Sequence, residues 1–369
     1  MSQPFAKLPA WADYGLLPLL NLGLAFLVSG LVVVMLGESP FQAVETLVYG
    51  AFGYGEAVGY TLYYATNLIF TGLAVAVAYH AGLFNIGGEG QAYLGGLGLG
   101  LVGIYLGWLP GILSIPLAVV AAALFGGVWG LIPGWLQARR GSHVVITTIM
   151  LNFVAAALMT YLMVNVLIKP GQSAPESITF PETVWMPSLK GLFALLGVDF
   201  GYAPINLSLV LALLCCVGMW LFVWRSRIGY EVRVVGHSEA AAVYGGISPA
   251  SRIILAMTIS GALAGLMASN EILGGQHRII LGFSGGYGFA GIAVALMGRN
   301  HPVGIVLAAL LFGALYQGGT ELAFDMPRIN KDLVVVIQGL VILFAGALEN
   351  MFRPQLEALF ARRPHAVAA

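Results

Sequence analysis

The sequence predicts an all-α polytopic membrane protein with about ten transmembrane helices. Three observations carry that expectation. Of 369 residues, 59% are hydrophobic and only 9% are charged, against about 25% charged in ordinary soluble domains. Mean hydropathy is +0.90. The apolar residues fall in runs of about 20, the length a helix needs to cross hydrocarbon. Inside a bilayer each backbone N–H and C=O must be satisfied within its own segment, so helices are what those runs can form.

Taken in order, the first apolar run, 14–36, follows Lys7 and Asp13. It is longer than a signal-peptide core and reads as a retained first helix. Further runs at 59–79, 85–107, 111–136, 144–167, 206–224, 252–270, 279–298, 302–323 and 333–352 complete the set. An even number of crossings puts both termini on one side. Lys7, Arg139, Arg140, Arg225, Arg227, Arg233, Arg252, Arg299, Arg353, Arg362 and Arg363 fall on one face, and Lys169, Lys190, Arg278, Arg328 and Lys331 on the other. The first face holds 11 of the 16 basic residues, and the positive-inside rule makes it cytoplasmic, termini included. One polytopic unit, 1–369, accounts for the chain: first helix 14–36, core 59–352, and a cytoplasmic loop at 225–251. The loop 169–204, with Pro170, Pro175, Pro181, Pro187 and Pro204, falls outside.

One interruption stands out. "GLFNIGGEGQAYLGG", Gly82 to Gly96, sets Asn85, Glu89, Gln91 and a cluster of glycines in an otherwise apolar stretch. A carboxylate in or near hydrocarbon is costly and marks a functional hypothesis. Asn85 can cap a helix start, and Glu89 one turn in sits well by the positive end of the helix dipole. The pattern fits a broken or re-entrant helix near 82–96, a way transporters build binding sites. The bland alternative is a pinned helix terminus with glycines that let neighbours pack. Gly126, Gly130 and Gly134 share a four-residue spacing without polar companions and read as packing positions. "GFSGGYGFAGIAVALMG", Gly282 to Gly298, has a similar flavour and suggests an internal repeat. Asn67, Asn152 and Gln317 are further polar residues inside spans, each an interhelical hydrogen bond or a solute contact. Tyr63, Tyr64, Phe84, Tyr93 and Tyr287 could stack on a ring face or simply pack.

In the cytoplasmic loop, "EAAAVYGG" begins at Glu239. Glu239, Ala240 and Ala241 start a short run of small helix formers that ends at Gly245-Gly246. Such a run forms a smooth knob suited to a partner's groove, or an amphipathic helix lying on lipid. The chain has no phosphate-binding loop, no metal-ligand spacing and no nucleophile motif. No catalytic residue, cofactor or metal is expected on it, and any ATP must be hydrolysed by another subunit. Zero net charge argues against nucleic acid. Cys215 and Cys216, adjacent in an apolar run, read as buried thiols.

"GLFNIGGEGQAYLGG", "VVITTIMLNFVA" (Val144–Ala155), "GYEVRVVGHSEAAAVYGGIS" (Gly229–Ser248) and "GYGFAGIAVALMGRNHPVG" (Gly286–Gly304) together resemble the membrane permease of bacterial ATP-binding-cassette (ABC) importers. The resemblance runs from about residue 59 onward. It is closest to the branch for nucleosides and simple sugars that works with basic-membrane-lipoprotein-type binding proteins. It implies an inner-membrane permease that pairs with a second, related permease and cytoplasmic ATPases, and that receives solute from an extracytoplasmic binding protein. It also implies that Glu239, Ala240, Ala241 and Gly245 match the loop that docks into the ATPase. Where relatives often read Asn-Glu-Val, this chain has Ser142-His143-Val144, which removes an acid. The residues by themselves leave a proton-coupled carrier open, with Glu89 as its proton site.

Overall fold

The computed structural model describes residues 9, 11–195, 197–326, 328–329, 331–344 and 352–361. In chain order the α-helices are α1 (Leu17–Met35), α2 (Pro40–Phe52), α3 (Gly55–His80), α4 (Gly88–Tyr105), α5 (Gly111–Arg140), α6 (Val144–Asn165), α7 (Lys190–Ala194), α8 (Ser208–Trp220), α9 (Arg227–His237), α10 (Glu239–Tyr244), α11 (Pro249–Ala268), α12 (Tyr287–Met297), α13 (Pro302–Asp325), α14 (Lys331–Ile342) and α15 (Arg353–Ala361). Wider π turns continue α8 over Leu221–Arg225 and α11 over Ser269–Gln276. No strand forms among the described residues, only isolated bridges at Glu176–Ile280 and Ser188–Asn206.

Among the described residues six helices are long and apolar enough to cross a membrane, or seven if α1 and α2, bent by 117°, make one span. Three of the expected crossings come out differently. The run 279–298 is a loop followed by α12, only 11 residues long. Its helix is broken by Gly282, Gly285 and Gly286, all at positive φ, a backbone shape that glycine adopts without steric cost. α4, the counterpart of the expected 85–107 span, is 18 residues long and too rich in glycine and polar residues to count as an apolar span. The tail end of the expected 333–352 span lies outside the described residues.

The chain divides into two units, Ala51–Gln317 and Met1–Gly50 with Gly318–Ala369. In the smaller, Val33, Ala43, Leu322, Met326, Ile329, Val334 and Ile337 form the core. There Arg328 bridges the α1–α2 turn, donating to the Gly37 carbonyl at 3.3 Å.

The larger unit is built around α3 and α11. The apolar window of α3 is 89% buried and that of the α11 span 72%, against 28% for α5, α6 and α8. The first two are therefore the interior and the other three the perimeter. α3 stops where Gly82 adopts φ 74°. Gly82 N–H then reaches the Tyr79 carbonyl and Leu83 N–H the Ala78 carbonyl, the Schellman pattern that satisfies a helix end. α11 begins on Ser248, whose Oγ accepts from Ser251 N–H, with Pro249 at its first position.

Without a hydrophobic drive between helices in lipid, close backbone approach does the packing. A Cβ on Gly130 would lie 2.5 Å from the Met257 carbonyl oxygen. One on Gly126 would strike the Gly261 carbonyl, and Gly261 and Gly265 are closed in the same way from the other side. The four-residue glycine spacing on α5 is thus the seam with α11. The two segments that hint at a repeat also behave alike. Each follows a long interior helix and starts a shorter one, with α4 packed on α11 and α12 packed on α3.

Candidate functional site

Segment 82–96 is a helix start held from several directions. After Gly82 the chain runs without regular structure to Ile86, and α4 opens at Gly88 with no side chain on its N-cap, Gly87, to cap it. Its exposed N–H groups need partners. Asn152 of α6 supplies one, its Oδ1 accepting from Gly90 N–H at 2.9 Å while its Nδ2 donates to the Ile86 carbonyl at 2.9 Å. Asn85 Oδ1 accepts from Gly87 N–H at 2.8 Å. The Asn85 and Gln91 amides pair reciprocally at 2.8 and 3.2 Å. Asn85 also donates to Ser260 Oγ of α11 at 2.7 Å, and Ser260 donates to the Ala74 carbonyl of α3 at 2.6 Å. One asparagine thereby joins three helices.

Glu89 caps a different helix from its own. Its Oε1 accepts from Ser284 Oγ at 2.5 Å and Gly286 N–H at 3.1 Å, and its Oε2 from Gly288 N–H at 2.9 Å. Gly286 and Gly288 are the N-cap and second residue of α12. An acid here meets the positive end of that helix. The two helix starts cross backbone to backbone at Gly88 and Gly288, where a Cβ on Gly288 would strike the Glu89 main chain. Asn85, Glu89, Gln91 and Asn152 are all 8% exposed or less and all use protein partners.

Asn67 belongs to a second cluster, centred on an acid that the sequence reading passed over. Glu271, 5% exposed, lies in the π turns that extend α11. Its Oε1 accepts from Asn67 Nδ2 at 2.6 Å and its Oε2 from Gln276 Nε2 at 3.4 Å, with the Tyr63 hydroxyl beside it. Asn270 donates to Asn67 Oδ1 at 2.8 Å and to the Tyr63 carbonyl at 3.0 Å, and accepts from Asn206 at 2.9 Å. π turns inside helices recur at functional sites. Alongside runs a series of tyrosines. Ring centroids are 5.7 Å apart for Tyr63–Tyr64, 5.9 Å for Tyr64–Tyr316 and 5.6 Å for Tyr316–Tyr287. Tyr64 and Tyr316 are half-buried and reach the surface of this unit. Tyr93 instead packs edge-on against Phe283. Phe84 lines a separate cavity with His80, Arg233 and His237. Gln317, the last residue of this unit, is buried.

The third feature is α10. Ser238 Oγ accepts from Ala241 N–H at 3.2 Å to start it. Ala242 is its buried anchor, packed among Ala78, Leu83, Val235 and Ile253. Glu239, Ala240, Ala241 and Gly245 stay exposed, with Val243 at 62% and Tyr244 at 97% exposure. α9 holds α10 in place. Glu231 bridges to Arg227 at 3.1 Å and to Arg252 of α11 at 2.8 Å.

Apolar helices long enough to cross a membrane, packed around capped helix starts with a small helix offered outward beside them, describe a polytopic membrane protein. Residues 57–346 match the permease component family of branched-chain amino acid transport systems, and the chain belongs to that family. Among curated relatives, it is 37% identical to a guanosine ABC transporter permease protein of Bacillus subtilis over 90% of this chain and 93% of that one. A glucose ABC transporter permease protein of Haloferax volcanii is 36% identical over 98% and 94%. A nucleoside ABC transporter permease protein of Lactococcus lactis is 34% identical over 89% and 90%. No solved structure matches. These relatives favour a permease subunit of an ABC transporter over a proton-coupled carrier.

Proposed function

We propose that the chain forms half of the translocation path of an ABC importer for nucleosides, with ATP hydrolysed by separate cytoplasmic subunits. Near full-length similarity to guanosine and nucleoside permeases carries this reading. A simple sugar is the second reading, favoured by the glucose permease relative. The other half of the path is a second, related permease, and an extracytoplasmic binding protein delivers the solute. The membrane is the inner membrane, with α10 on the cytoplasmic side beside Arg225, Arg227, Arg233 and Arg252.

In this scheme Glu239, Ala240, Ala241 and Gly245 meet the ATPase. Movement of the docked α10 passes through Ala242 and the Glu231–Arg252 pair to α11. There it reaches Asn85 through Ser260 at one level and the Glu271 cluster at another. Asn85, Glu89, Gln91 and Asn152 hold the two helix starts that shape the path. Asn67, with Glu271 and the tyrosines, faces the solute. Solute affinity need only differ between outward and inward states for ATP binding to drive a population shift.

The test is uptake of labelled guanosine, uridine and glucose by cells with and without the gene, with ATP held constant and a protonophore added. Loss of nucleoside uptake that the protonophore leaves untouched supports the proposal. Uptake abolished by the protonophore at constant ATP contradicts it.

A further inference from the structure

The loop between α6 and α8 and the π turns after α11 border a half-open cavity of about 540 Å³, within the size range of small-molecule sites. Its lining includes Trp185, Tyr202, Asn206, Gly274, Gly275 and His277. Trp185 and His277 stack face to face, with centroids 3.9 Å apart and planes 12° apart. The indole N–H donates to the Phe180 carbonyl at 2.9 Å, which fixes this aromatic wall. One acid and one base, Glu182 and Lys190, also border the cavity. Burial lowers the basicity of His277 below that of an ordinary histidine. Glu182 and Lys190 offset one another in formal charge.

The floor is unusually thin. A Cβ on Gly275 would stand 2.5 Å from the Tyr63 hydroxyl, and one on Gly274 would strike the Asn206 amide. Directly behind those glycines lie Tyr63 with Glu271, and Asn206 with Asn270. Gln276 spends its N–H on Glu271 and leaves a buried Oε1 without a donor. His277 closes the π turns in the left-handed region at φ 54°, where a residue other than glycine carries strain. Its N–H to the Ile272 carbonyl and its carbonyl to Phe180 N–H keep it there, each at 2.8 Å. Backbone strain and a rigid aromatic wall meet at this one cavity.

We propose that this cavity is a receiving site for an uncharged solute with a flat ring and several hydroxyls, a nucleoside, one residue's thickness from the Glu271 cluster. The assignment rests on the nucleoside reading above. The aromatic wall orients the ring, and the ribose hydroxyls meet the glycine floor and Asn206. Rearrangement of the π turns then hands the solute to Glu271 and Tyr63.

The test is photolabelling with 8-azidoguanosine of the complete transporter, reconstituted with its ATPase and binding protein, followed by peptide mapping. Label is expected on residues 182–206 or 274–277, and unlabelled guanosine in excess should remove most of it. Trp185→Ala should lose it. Tyr202, 86% exposed, makes little contact with the rest of the chain, so Tyr202→Ala supplies a second variant, expected to weaken labelling several-fold. A wild-type assembly that imports guanosine but labels elsewhere, or labels here without competition, overturns the pocket alone. Label blocked by the binding protein but not by guanosine assigns the cavity to that protein and overturns it too. A wild-type assembly that imports no nucleoside overturns both readings together.

Discussion

Replacing Glu89 by glutamine separates a joint from a chemical group. The carboxylate takes three donors, Ser284 Oγ–H and the N–H groups of Gly286 and Gly288. A glutamine keeps one oxygen for Ser284 and Gly286 but turns an NH₂ toward Gly288, leaving that buried N–H without an acceptor. Hydrogen bonds to charged groups contribute about 1.5–3 kcal/mol against about 0.5–1.5 for neutral ones, and an unsatisfied buried donor costs about 1–3. Interhelical bonds in membranes average only about 0.6 kcal/mol, so the expected loss sits low in the summed range, at roughly 2–4 kcal/mol. For a chain of 369 residues that corresponds to a fall of roughly 3–5 °C in unfolding midpoint. The assay is residual monodisperse protein after heating in detergent, read beside uptake of guanosine and uridine. Glu89→Gln should lose transport in proportion to lost folded protein and keep the guanosine-to-uridine ratio. A variant with an unchanged midpoint and no transport would refute the reasoning and make Glu89 part of the transport chemistry.

Other outcomes follow from the same geometry. Gly130→Leu drives a side chain into the Met257 carbonyl and should cost roughly 3 kcal/mol, whereas Gly218→Leu, with open space around its Cβ position, should leave yield and midpoint unchanged in the same heating assay. At Gly245 the backbone is ordinary, φ −78°, and an added Cβ meets nothing nearer than 3.4 Å. Gly245→Arg should therefore reach the membrane at normal levels yet co-purify with the ATPase roughly tenfold less; normal co-purification and import would remove α10 from the docking surface. The lowered His277 pKa means the fold favours the neutral ring. That contribution is complete above the ordinary value near 6.5 and is lost as pH falls through the lower folded value. Unfolding midpoints should drop between pH 7 and 5, and His277→Asn, which also tolerates the left-handed region, should flatten that drop.

The sequence exposed the joint by contrast. Asn85, Glu89 and Gln91 are conspicuous because their neighbours are apolar, and the glycines at 126 and 130 show their spacing openly. It could not show that Glu89 caps a helix starting at Tyr287, because Ser284 and Gly288 lie 195 and 199 residues away along the chain. Asn152 was visible as a polar residue in a span, but its role as a cap depends on α6 standing beside the start of α4. Glu271 was missed for a different reason. Apolar length ended the span at 270, and the following residues led to Arg278, so the acid read as loop. The π turns carry the helix on to Gln276. A signal was there: "NEILGGQ" at Asn270–Gln276 repeats, in another order, the Asn, Glu, Gln and paired glycines of "NIGGEGQ" at Asn85–Gln91. The expected 279–298 span failed through the glycines at 282, 285 and 286, whose positive φ ends helix where hydropathy alone continues it.

The central claim is that this chain moves nucleosides using a partner's ATP. The most direct measurement is guanosine accumulation in vesicles holding this permease, its paired permease and the ATPase, with the binding protein added outside. The account predicts accumulation that requires ATP and every subunit and that continues when the proton gradient is collapsed. Accumulation by this chain alone, driven by a proton gradient without ATP, would contradict it.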